Sequence, residues 1–73
     1  MRVLDVQGTA DNILYYLRDR NMTQRRLAIL CNVSDAAVHK WVTGIALPSL
    51  DNIVLLTSIF DCTMDNLIAT KKG

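Results

Sequence analysis

Little in these 73 residues could do covalent chemistry or hold a metal ion. The two cysteines, Cys31 and Cys62, stand far apart, no C-x-x-C spacing occurs, and His39 is the one histidine. The nitrogen and sulfur ligand sets of zinc sites therefore have no candidate. In a reducing compartment two such isolated thiols act as small hydrophobes. There is no second histidine, no carboxylate pair in distinct environments and no glycine-rich phosphate loop, so neither enzyme activity nor a cofactor is expected. The apolar runs fall far short of the roughly 20 residues of a membrane span. The N-terminus has no apolar stretch of the kind a secretory signal needs, which makes the cytoplasm the default location, with no membrane partner. Repeats and low-complexity segments are absent. Charge of one sign is scarce too: eight Lys and Arg face seven Asp and Glu, for a net charge of +1 and a pI near 7.8. That is a weak footprint for a nucleic-acid binder, and only clustering of Arg18, Arg20, Arg25 and Arg26 offsets it.

What is present is apolar material at helical spacing. Hydrophobic residues make up 51% of the chain and charged ones 21%, the balance of a globular domain, and the length allows one domain. The most informative stretch is Thr23 to Gly44, TQRRLAILCNVSDAAVHKWVTG. Thr23 is a good helix N-cap. Leu27 and Cys31 then recur at i and i+4, with the small Ala28 beside them allowing close approach of a crossing helix. Asn32 tolerates the left-handed conformation that ends a helix. Val33 plugs the turn, Ser34 caps a second helix, Val38 and Trp41 give that helix its inner face, and Gly44 ends it. Two short helices joined by so tight a turn form the helix-turn-helix signature.

In these residues the chain resembles the phage lambda repressor and Cro family, the XRE-type bacterial regulators, whose consensus runs roughly L-T-Q-x-x-L-A-x-x-x-G-V-S-x-x-x-I-S-x-W-E-x-G. The resemblance rests on Met22, Thr23, Gln24, Leu27, Ala28, Asn32, Val33, Ser34, Val38, Trp41 and Gly44, and continues through Leu47-Pro48-Ser49 to Asp65-Asn66-Leu67-Ile68. It implies an all-α fold: a five-helix lambda-repressor-like DNA-binding domain over residues 9–70, preceded by a short extended arm at 1–8 and followed by a tail at 71–73.

Within that frame, Thr9 is expected to cap helix 1, with Asp11 in its first turn and Ile13, Tyr16 and Leu17 facing inward. Asn21 stands where relatives carry a helix-ending glycine. Many relatives also have arginine at the position of Leu17 and glutamate at that of Val42, an ion pair between helices 1 and 3. Here both have become apolar, an exchange that well-packed interiors tolerate, and the two side chains are expected to touch. The arm, with Val3, Leu4 and Val6, either lies extended on the core or is free, and Lys71-Lys72 is expected to fray. Pro48 and Ser49 start helix 4, which should bury Leu50, Ile53, Leu56 and Phe60, with the small Thr57 at a close approach. Thr63 caps a last helix from Met64 to about Ala69 that brings Leu67 and Ile68 to the core.

The second helix of the motif enters the DNA major groove in the family. With Val38 and Trp41 inward, helical spacing turns Asp35, Ala36, His39, Lys40 and Thr43 outward. By resemblance, Asp35, Ala36, His39 and Lys40 face bases, and Thr23, Gln24, Ser34, Ala37 and Thr43 lie where relatives contact phosphates. Asp35 can accept from cytosine N4, the alanines can touch a thymine methyl, and Lys40 can reach guanine. No bidentate Gln or Arg stands in this set, so specificity is expected to depend on dimerisation. Ile29, Leu30, Leu55 and Ile59, with Leu14 and Tyr15, are apolar where the pattern predicts exposed positions, the mark of a protein interface. The expected function is a sequence-specific transcriptional regulator occupying an operator in double-stranded DNA as a homodimer. The alternative is the same fold used as a protein-interaction module, such as an antirepressor or antitoxin-like partner, with weak DNA binding.

Overall fold

Residues that start or stop helices punctuate the chain, and the computed structural model, which describes residues 1–73, places a helix in each interval between them. In order these are α1 (Val6–Asp19), α2 (Gln24–Cys31), α3 (Asp35–Thr43), α4 (Leu50–Phe60) and α5 (Met64–Leu67). Two short strands, β1 (Arg2–Leu4) and β2 (Thr70–Lys72), flank them. The fold is the expected five-helix, all-α one. The hydroxyls of Thr23, Ser34, Ser49 and Thr63 accept the backbone N–H of Arg26, Ala37, Asn52 and Asn66 at 3.0, 3.1, 3.3 and 3.1 Å. Each thereby satisfies a donor that the first helical turn leaves orphaned. The stops are equally local. Asn21, Asn32 and Asp61 take φ of 52, 55 and 52°, and Gly44 takes 78°, the left-handed region that short polar side chains and glycine tolerate.

The first helix departs from the sequence expectation. It begins at Val6, capped by Asp5, whose carboxylate accepts the Gly8 N–H at 2.9 Å. Thr9 is therefore not a cap: it is 1% exposed, and its hydroxyl accepts the N–H of Ala69 at 3.0 Å. Asp11 lies beyond the first turn, where it accepts from the Gln7 side-chain amide at 3.0 Å. Gly8 falls inside the helix because the C-terminal segment crosses over it. A Cβ there would come within 2.8 Å of the Ala69 Cβ and 2.7 Å of the Asp5 carboxylate.

The two ends of the chain meet. Strands β1 and β2 pair antiparallel, with Arg2 opposite Lys72, Val3 opposite Lys71 and Leu4 opposite Thr70. The Arg2 guanidinium donates to the Thr70 hydroxyl at 2.9 Å and to its carbonyl at 2.8 Å. Lys71 and Lys72 are thus held in a ladder and not frayed, and of the arm expected over residues 1–8 only Arg2–Leu4 is an extended strand, while residues 6–8 belong to α1. Asp5 N–H to the Ala69 carbonyl at 2.9 Å and the Asn12 amide to the Leu67 carbonyl at 3.0 Å continue the seam along α1.

Helix α3 packs against both α1 and α2, α4 packs against α2 and α5, and α5 against α1. Leu17 of α1 and Val42 of α3 are both buried in the common core with Leu27, Val38, Trp41 and Phe60. Tyr16, half-buried, stacks on Phe60 with ring centroids 5.4 Å apart. The Arg20 guanidinium lies over the Tyr16 ring at 5.1 Å, donates to the Phe60 carbonyl at 2.6 Å and pairs with Asp19, which locks the C-terminal end of α1 onto α4. Leu50 is a further correction. It is 68% exposed because the first residue after the Ser49 cap lies off the buried row of Ile53, Leu56 and Phe60.

Candidate nucleic-acid interface

The frame of α2 and α3 is built from the turn outward. Asn32 in the left-handed conformation lets its own N–H reach the Ile29 carbonyl at 3.2 Å while the Val33 N–H reaches that of Ala28 at 3.0 Å. These bonds satisfy the carbonyls at the end of α2 as it stops. Val33 is then half-buried against the core, and Ser34 restarts the chain as α3. Ala28, with no bulk beyond a methyl, is 2% exposed within the common core, and α2 packs against α3. Val38, at 0%, and Trp41, at 5%, anchor the inner side of α3.

This anchoring turns Asp35, Ala36, His39, Lys40 and Thr43 to solvent on α3, with Thr23 and Ser34 exposed at the two caps. Gln24 and Ala37 are half-buried, and Ala37 packs against the core. Several of these side chains already have work within the chain. The Thr23 and Ser34 hydroxyls serve as caps, and the Thr43 hydroxyl donates to the His39 carbonyl at 2.7 Å. Asp35 sits in the first turn of α3 and Lys40 near its last, an arrangement that complements the helix dipole at both ends. No three of the chain's His, Cys and Asp side chains gather as metal ligands.

One contact of this surface is not foreseeable from the sequence. The Arg25 guanidinium donates to the Asp35 carboxylate at 3.1 Å, linking the first turn of α2 to that of α3. Nothing in helical periodicity within either helix pairs residues ten positions apart across a turn. Of the apolar positions expected on the surface, Tyr15, Ile29, Leu30 and Leu55 are exposed, and Val54 joins them. Leu14 and Ile59 are instead half-buried against the core.

A family model described as helix-turn-helix matches residues 13–67. The chain belongs to the XRE-type helix-turn-helix family. Over 50 residues, 68% of its length, it is 32% identical to the HTH-type transcriptional activator BcrR of Enterococcus faecalis. That match covers 24% of the relative, so the chain spans about a quarter of that protein's length. Its backbone is similar to the crystal structure of the restriction-modification controller protein C.AhdI from Aeromonas hydrophila, with a TM-score of 0.78 over 86% of this chain and 96% of that one. At 22% identity this likeness shows the helix-turn-helix fold, with no bearing on individual contacts. No helix is long and apolar enough to cross a membrane.

Proposed function

We propose that the chain is a sequence-specific DNA-binding transcriptional regulator of the cytoplasm that occupies an operator through the major groove as a homodimer. One observation carries the reading: Asp35, Ala36, His39, Lys40 and Thr43 leave the outer face of α3 open to solvent while its inner face is locked by Val38 and Trp41. A helix so held can enter a groove without the domain rearranging. In this reading Asp35, Ala36, His39 and Lys40 meet base edges. Thr23, Gln24, Ser34, Ala37 and Thr43 flank the phosphates, with Gln24 at the N-terminus of α2, where helix N–H groups favour an anion. The name of BcrR, a transcriptional activator, supports the assignment to transcription.

Dimerisation follows from the readout chemistry. One aspartate, one alanine, one histidine and one lysine offer little discrimination per copy, and two copies related by a two-fold axis would read half-sites about one helical turn apart. The exposed Ile29 and Leu30 of α2 and Val54 and Leu55 of α4 are apolar enough to form the contact. The same residues and the net charge of +1 favour, as a second reading, a protein-interaction module with weak DNA binding.

The deciding experiment is titration against a random-sequence duplex pool at about 50 and 200 mM salt, with sequencing of the bound fraction. A regulator binds in a salt-sensitive way and enriches a two-fold-symmetric site. Gln24→Ala then weakens binding evenly across sequences, and Lys40→Ala relaxes one position. Indifference of binding to both substitutions favours the interaction module.

A further inference from the structure

The exposed face of α3 lacks a bidentate side chain, yet the fold brings one to it from the neighbouring helix. Resting on the DNA-reading role proposed above, we infer that Arg25 is a specificity-determining residue that reads a guanine, and that Asp35 is its positioning partner. The guanidinium lies 3.1 Å from the Asp35 carboxylate, and both side chains are open to water, 78% and 60% exposed. An ion pair in that setting contributes little to stability. Its meaning lies in its place: Arg25 is the second residue of α2, Asp35 is the first of α3, and the bond joins the first turn of α2 to the leading end of the helix proposed to enter the groove.

Charge and geometry lead to the same assignment. A lone carboxylate at the leading end of α3 would meet phosphates as a like charge, and the Arg25 cation cancels it. Guanidinium offers five N–H donors in a planar fork, and Asp35 engages it through Nη1 alone. No other group of the protein bonds the Arg25 side chain, so a second edge stays free. Guanine presents O6 and N7 side by side in the major groove, the acceptor pair that two parallel guanidinium N–H groups match. Tethering also restricts the rotamers of a long side chain before DNA arrives, which lowers the ordering cost of the contact. Arg26, next in sequence, makes no side-chain bond to any residue and serves as the matched control.

The test repeats the duplex selection with wild type, Arg25→Ala, Arg25→Lys, Asp35→Ala, the Arg25→Ala/Asp35→Ala double variant and Arg26→Ala. All these positions are exposed, and unchanged thermal melting checks that each variant folds. The expected result is a guanine in each half-site whose preference over other bases drops by about 5- to 160-fold in Arg25→Ala, the range for one bidentate contact. Arg25→Lys does not restore it, Asp35→Ala weakens the same preference, and the double variant loses no more than Arg25→Ala alone. Arg26→Ala lowers affinity without altering any base preference.

Two results overturn the inference while leaving the regulator reading intact. In one, Arg25→Ala weakens all sequences evenly and reduces the salt slope by about 0.9, as loss of a phosphate contact does. In the other, Asp35→Ala flattens a cytosine position that Arg25→Ala leaves alone. Failure of the wild-type protein to bind DNA at low salt overturns both.

Discussion

Thr9 separates two accounts of how α1 begins, and its substitution gives a sharp test. As an N-cap it would tolerate Asp, one of the best capping residues. As the buried acceptor for the Ala69 N–H, at 3.0 Å and 1% exposure, it should not. Thr9→Val keeps the shape and removes the acceptor, leaving a donor without a partner at a cost of about 1–3 kcal/mol. For a domain of this size that lowers Tm by on the order of 10 °C. Thr9→Asp places a carboxylate in the same enclosed position, four residues from Asp5 on the same helix face, and costs about 3 kcal/mol or more. Asp5→Ala, which removes the cap that is actually used, costs about 1 kcal/mol. Urea unfolding followed by far-UV circular dichroism measures all three, since a chain this short unfolds in one step. A Thr9→Val protein as stable as wild type, or a Thr9→Asp protein that is undisturbed, would refute the account.

Other expectations follow from the same packing. Leu17→Ala should cost about 2–5 kcal/mol, and a double-mutant cycle with Val42→Ala should give a coupling of at least about 0.5 kcal/mol. Coupling near zero would show that the two side chains do not touch. In sedimentation equilibrium at micromolar concentration the protein should have the mass of a dimer, and Ile29→Asp should shift it to monomer. A wild-type mass that stays monomeric at every concentration contradicts the proposed interface. Burial pushes the Cys31 thiol above the ordinary 9.0. The folded state therefore holds that proton where the unfolded chain releases it, and stability present at lower pH declines as pH rises past about 9. Cys31→Ala should flatten that decline in urea titrations across alkaline pH, and an unchanged slope would assign it to another group.

The parts of this fold legible in the sequence are those whose causes lie within one helical turn. A cap hydroxyl reaches a donor three residues away, so Thr23, Ser34, Ser49 and Thr63 announce their helices without help from the rest of the chain. Asn32 and Gly44 do the same for helix ends. The start of α1 is different because two capping residues, Asp5 and Thr9, compete within one turn, and Gly8 between them reads as a break. What decides in favour of Asp5 is Ala69, which accepts from Asp5 and donates to Thr9, and whose Cβ occupies the space that a side chain at position 8 would need. Contacts across some sixty residues leave no periodic trace, and the β1–β2 ladder was hidden for the same reason.

The candidate site divides along the same line. Which residues of α3 face outward follows from the 100° step of a helix once Val38 and Trp41 are known to be inside, and the structure places Asp35, Ala36, His39 and Lys40 in solvent accordingly. Periodicity ranks residues within one helix, however, and the proposed DNA-reading surface draws on two. Read on α3 alone, Asp35 is an acceptor for cytosine, whereas beside Arg25 it is half of a charge-balanced unit with a free guanidinium edge. The chemistry of the surface changes from weak single contacts to one capable of bidentate readout, although no residue of α3 is different. A net charge of +1 understates what such a surface can do. Affinity depends on which cations stand at the DNA, and Arg25 of α2 is tied to Asp35 at the leading end of α3, the helix proposed to enter it.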